Sequence, residues 1–165
     1  MKRIEFNLKN TVAYVNSSSL NTMRLWMSTP PFIKVDWAQL NTQEKYKVLV
    51  DALNGSKVGL PMPQNPKEFS GVVLRNFGFS SWRQYCDNCK HCSIKLDIEK
   101  SQYVFTPLIY LNENNSLYGI KEGEEIVSLT ASEEEIIFVL ERVLHNIPRL
   151  TEEYYQRESE SNDLD

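Results

Sequence analysis

The hydrophobic period of this chain changes near residue 90, and that switch excludes an all-helical or an all-strand architecture. Trp82, Tyr85, Cys86 and Cys89 fall at i, i+3, i+4 and i+7, the spacing of one helix face. From Cys92 the period is two: Cys92, Ile94, Leu96 and Ile98 alternate with Ser93, Lys95 and Asp97. Successive side chains of a strand point to opposite faces, so this segment reads as a strand with one buried face. Glu99-Lys100-Ser101 can turn it back into Tyr103–Leu111, giving a hairpin. The same alternation opens the chain, with Ile4, Phe6 and Leu8 set against Arg3, Glu5, Asn7 and Lys9.

Between these strands the sequence carries helix signals. Thr42–Asn54 has Asn41 as its cap and Glu44 to close a capping box. Tyr46, Leu49, Val50 and Leu53 form its apolar stripe, and Gly55 reads as a left-handed stop. Gly59-Leu60-Pro61-Met62-Pro63 is a stiff extended connection. A second helix starts at Asn65-Pro66-Lys67-Glu68, with Asn65 capping and Glu68 closing the box, and ends at Gly78. A third begins after Ser81, with Gln84 as the box partner. Ser132-Glu133-Glu134-Glu135 starts a fourth, whose acids suit the positive end of the helix dipole; Pro148 lies just past its expected end, which His145 closes. Short strands are expected at Val12–Val15, Phe32–Trp37, Tyr118–Ile120 and Glu125–Leu129, and Ser17-Ser18-Ser19 reads as a loop.

At 165 residues, 41% hydrophobic and 24% charged, the chain suits one domain with a real core. The net charge of −4 is uneven: residues 151–165 hold six acids and one base, a charge of −5, which leaves +1 on residues 1–150. The expected layout is therefore a single domain over 1–150 and an acidic, flexible tail over 151–165. No basic cluster gives a nucleic-acid footprint, and no run approaches the roughly 20 apolar residues that span a bilayer. Three closely spaced cysteines and an N-terminus without an apolar run point to a reducing, cytoplasmic setting.

Cys86, Cys89, His91 and Cys92 offer four ligands of the kind zinc takes. Against this, Cys86 and Cys89 share the inner helix face with Trp82 and Tyr85, and Cys92 shares the apolar side of a strand with Ile94. The reading is no metal and no cofactor, with a zinc-binding regulatory or enzymatic module as the alternative. The two histidines form no nucleophilic motif, and no phosphate loop or dinucleotide fingerprint is present. The expectation is no catalytic residue. Glu122, Glu124 and Glu125 around Gly123, and Asp36 beside Trp37, are candidate partner-binding acids, since such charges speed encounter with a basic protein.

The order of signals resembles one family. Ser56-Lys57-Val58-Gly59-Leu60-Pro61-Met62-Pro63, the Gly78-Phe79-Ser80-Ser81-Trp82 helix start, Tyr103-Val104-Phe105-Thr106-Pro107 and the helix from Ser132 follow one another as in immunity proteins of bacterial contact-dependent growth inhibition systems, the CdiI type. The resemblance covers roughly Leu53 to Asn146. Ser80 and Met62 stand where that family often carries Lys and His. The matching positions are architectural, so the resemblance supplies no catalytic residue. It implies a cytoplasmic antitoxin that neutralises the C-terminal domain of a cognate toxin, a nuclease, by stoichiometric binding, with no direct contact to nucleic acid or membrane. The expected fold is an α+β domain: a central, largely antiparallel mixed sheet with helices on both faces, in a three-layer α/β/α arrangement. Oligomeric state is left open.

Overall fold

The computed structural model describes residues 1–62 and 67–162. Its centre is an eight-stranded sheet. β1 (Lys2–Lys9) pairs antiparallel with β2 (Val12–Asn21), and β2 with β3 (Trp26–Asp36). On its other side β1 pairs antiparallel with β5 (Cys89–Asp97), which forms a hairpin with β6 (Gln102–Leu111). β7 (Ser116–Gly119) and β8 (Glu125–Ser128) share the far edge of β6. β4 (Val58–Leu60) adds a short parallel pairing at the end of β2. The main order is β3-β2-β1-β5-β6-β7.

Strand alternation sorts the side chains into two cores. Ile4 and Phe6 of β1, Ala13 and Val15 of β2, Cys92 and Ile94 of β5, and Tyr103 and Phe105 of β6 meet α1 (Thr42–Gly55) and α4 (Glu133–Asn162). Tyr14, one step along β2, faces the other way and packs with Val73 and Phe77 of α2 (Lys67–Phe77) and Tyr85 and Cys86 of α3 (Trp82–Cys86). The fold is thus the expected α+β arrangement, with helices on both faces of the sheet. Phe105 and Leu140 are each 0% exposed in the larger core; full burial of side chains of this size stabilises by about 1.5–3 kcal/mol each.

Several local expectations hold. The Asn41 side chain accepts from Glu44 N at 2.9 Å while Glu44 accepts from Asn41 N at 2.9 Å, completing the capping box of α1. The Ser81 hydroxyl accepts from Gln84 N at 3.1 Å. Gly78 ends α2 at φ +77°. The cap expected at Asn65, with Pro66, and the second proline of the connection, Pro63, lie outside the described residues, as does the side chain of its box partner Glu68.

Others are corrected. β2 does not stop at Val15 but runs to Asn21, and Ser17-Ser18-Ser19 is its buried interior rather than a loop. The hydroxyls compensate for their burial: Ser17 Oγ donates to the Ala52 carbonyl, and Ser19 Oγ lies 2.7 Å from Thr29 Oγ1. Gly55 does not have positive φ and ends α1 for a different reason. A Cβ there would lie 2.5 Å from the Pro30 carbonyl oxygen and would overlap Pro31 Cδ and Ser17 Oγ. The helix end rests directly on β2 and β3, and only a residue without Cβ fits.

α3 is five residues long, and the chain is already strand at Cys89: Asp87 is extended and Asn88 takes φ +57°, which turns the chain from helix into β5. Gln84 does not close a box on Ser81; its carbonyl oxygen accepts from Ser80 N at 2.8 Å and Ser80 Oγ at 2.9 Å. Trp37 begins a 3₁₀ turn rather than ending β3. α4 continues past His145 and through Pro148 to Asn162, so residues 151–162, expected as a trailing tail, extend the helix. Pro148 lacks the N–H that would bond back one turn. The helix persists because its apolar stripe continues: Leu150 packs with Ile109 and Ile120, and Tyr154 lies against them. No helix among the described residues is long and apolar enough to cross a membrane.

Candidate functional site

α2 and α3 cover only part of the second sheet face. The uncovered part is a cleft of about 580 Å³. Its floor is built from the strand positions that alternate away from the larger core. Arg3 of β1 lies opposite Ser18 of β2 on one side and Lys95 of β5 on the other. In the next row, Glu5 lies between Asn16 and Ser93. Further along, Asn7 faces His91. Trp26 of β3 and Trp82 of α3 stand in the walls.

The charges on this floor are partly removed from water. Arg3 Nη2 lies 2.9 Å from Glu5 Oε1, and the Arg3 guanidinium sits 5.4 Å from the centre of the Trp26 ring. Burial raises the Glu5 carboxyl above its ordinary range, more than the adjacent Arg3 lowers it. His91 is 3% exposed, and burial lowers its pKa to about 4 despite a hydrogen bond to the Cys86 backbone. It is therefore neutral at pH 7. Three polar atoms on this face, Arg3 Nε, Asn7 Oδ1 and His91 Nε2, are buried without a hydrogen-bond partner. Such groups are costly to bury. A volume of this size also falls within the ordinary range of binding sites.

The four acids expected to meet a partner are not in the cleft, and they do not form one patch. Asp36 ends the edge strand β3, exposed, with its carboxylate accepting from Ala38 N at 3.3 Å. Glu122, Glu124 and Glu125 lie at the opposite edge, in and after the 3₁₀ turn Lys121–Gly123 that joins β7 to β8. There Glu122 pairs with Arg157 at 3.2 Å, and hydrogen bonding first to its own backbone and then to Arg157 lowers its pKa. Glu124 accepts from Thr106 Oγ1 at 2.8 Å, and Glu125 receives both Nε and Nη2 of Arg142, the former at 2.8 Å.

The cysteine cluster is divided by the sheet. His91 and Cys92 are neighbours on β5 and point to opposite faces. Cys92 belongs to the core under α1 and α4, whereas Cys86 packs under α2 and α3. Cys89 Sγ lies 2.9 Å from the Tyr85 carbonyl oxygen, and burial pushes the Cys86 thiol up to about 12, far from the thiolate that binds metals. Among the described residues, no group of three or more His, Cys, Asp or Glu is placed to hold a metal ion.

The fold has solved counterparts. A protein of unknown function from Neisseria meningitidis superposes with a TM-score of 0.67 over 88% of this chain and 94% of its own, at 14% identity. A chain of the CdiA-CT/CdiI toxin and immunity complex from Yersinia pseudotuberculosis gives a TM-score of 0.67 over 88% of this chain and 96% of its own, also at 14% identity. No family model matches the chain, and no curated protein matches it. At this identity the likeness is one of fold, carried by strand order and helix placement.

Sequence reasoning missed the cleft. Arg3, Glu5, Ser93 and Lys95 were legible as the polar side of period-2 strands, but an ordinary solvated sheet face gives the same pattern. Of the Ser17-Ser18-Ser19 run only Ser18 lies on the cleft face, so that run did not mark the cleft either.

Proposed function

We propose that this chain is a cytoplasmic immunity protein that binds the C-terminal domain of a cognate contact-dependent growth inhibition toxin and neutralises it stoichiometrically, without catalysis. The observation that carries this reading is the near full-length likeness in fold to a chain of a toxin and immunity complex, in line with the ordered motifs from Ser56 to Pro107. A nuclease is the toxin class that best fits the acidic groups at the sheet edges, because a nucleic-acid-binding surface is basic. Asp36, Glu122, Glu124 and Glu125 then act as encounter charges on two rims, and the cleft between the sheet edges accepts the inserted part of the toxin.

The role sets a scale. Nanomolar binding requires about −12 kcal/mol, and interfaces of that kind bury roughly 1,600 Å² in total. The cleft alone is too small for this, so docking must extend from its walls onto the rims. The direct test is co-purification with the toxin domain encoded beside this gene, followed by a growth-rescue assay. A 1:1 complex and restored growth are expected; a toxin domain that neither binds nor loses toxicity would refute the assignment.

A further inference from the structure

Arg3 and Lys95 stand directly opposite each other across the β1–β5 pairing, on the cleft face. Like charges directly opposed on neighbouring strands are destabilising. Each has a carboxylate two residues along its own strand: Glu5 at 2.9 Å from Arg3, and Asp97 at 3.8 Å from Lys95. Among the described residues, no ion pair links the two cations through a shared acid. Arg3 also keeps its buried Nε without an acceptor. Trp26 packs against the guanidinium and holds it in place, and Ser18, opposite Arg3 on β2, adds a hydroxyl to the same row.

We propose that the Arg3–Lys95 pair receives an acidic side chain of the bound partner, a carboxylate set between the exposed parts of the two cationic side chains. This rests on the reading of the chain as a toxin-binding protein. A carboxylate between them offsets the repulsion of the opposed charges, and it does so where solvent is partly excluded: the Arg3 and Lys95 side chains keep 27% and 35% of their exposure. Charge-assisted hydrogen bonds of this kind are about twice as strong as neutral ones. Two opposed cations on the floor and acidic rims together give the chain a two-signed docking surface, which favours one orientation of one partner over others.

Lys95→Glu tests this without stranding Glu5, as removal of Arg3 would. The measurement is affinity for the toxin domain, with thermal melts verifying that the variant folds. A loss of roughly a hundredfold is expected, the size seen when one member of a close interfacial charge pair is changed. A scan of toxin Asp and Glu residues to Lys should then recover most of the loss at one position. Unchanged affinity of Lys95→Glu would overturn the inference while leaving the toxin-binding reading intact. A loss that no single acid-to-Lys change recovers would also overturn it, since only diffuse electrostatics or a small anion in the cleft would remain. Failure of the wild-type chain to bind would remove the reading and this inference with it.

Discussion

Gly55→Ala tests the closest approach in the fold, that of the last turn of α1 to β2 and β3. In an exposed helix interior this change stabilises by about 1 kcal/mol, because alanine loses less backbone entropy on folding. Here the new Cβ would stand 2.5 Å from the Pro30 carbonyl oxygen and overlap Pro31 Cδ and Ser17 Oγ. The first is backbone and the second is part of a ring, so neither can swing aside. The helix end must lift, which stretches the Ser17–Ala52 hydrogen bond that ties β2 to α1. Overpacking costs about 1–3 kcal/mol and a weakened buried hydrogen bond about 1 kcal/mol. Against a propensity gain of about 1 kcal/mol, the net expectation is a loss of about 2 kcal/mol. For a chain of this size that lowers Tm by about 4–8 °C, read by circular dichroism or calorimetry. Gly71→Ala in α2 is the control: its Cβ would meet the Arg75 guanidinium, the movable end of a flexible side chain, so the propensity gain of up to about 1 kcal/mol should survive. A Gly55→Ala protein as stable as the parent would refute the packing argument.

Two further outcomes follow from burial. Phe105→Ala, at a position with 0% exposure in the larger core, should cost about 3–5 kcal/mol in denaturant unfolding, and a cost under about 1 kcal/mol would place the core elsewhere. His91 has a folded pKa of about 4 against 6.5 when unfolded, so the unfolded chain binds the extra proton between those values and stability falls as pH drops from 6.5 to 4, by about 3 kcal/mol in all. Glu5, whose pKa is raised, acts in the opposite sense: its contribution is full below 4.5 and is lost as pH rises. The His91 part is therefore read as the difference between the parent and His91→Asn across that window, and parallel curves would refute it.

What the sequence disclosed and what it hid have one physical cause. Elements whose signal is local were legible: the Asn41–Glu44 box, the left-handed Gly78 and the alternation in β1 and β5 each depend on residues a few positions apart. The failures occurred where a distant segment decides. Ser17-Ser18-Ser19 reads as a loop until α1 packs on it, because only then do the hydroxyls acquire partners such as the Ala52 carbonyl, thirty-five residues away. Pro148 reads as a stop until Leu150 finds Ile109 and Ile120, which belong to the sheet edge rather than to the helix.

The candidate site is the extreme case of this rule. Arg3, Glu5, Ser93 and Lys95 alternate with Ile4, Ile94 and their neighbours as any half-solvated strand would, and period alone cannot distinguish a wet face from the floor of a cleft. The difference is made by α2 and α3, which cover the Tyr14 end of that face and leave the Arg3 end open. Complete cover would have left Arg3 and Glu5 as a buried pair, which commonly contributes nothing to stability compared with apolar side chains. No cover would have left a surface pair worth about 1 kcal/mol or less. Partial cover keeps the charges accessible to a partner while lowering the cost of stripping their remaining water. The recognition surface is therefore set by where the two helices end as much as by the residues beneath them.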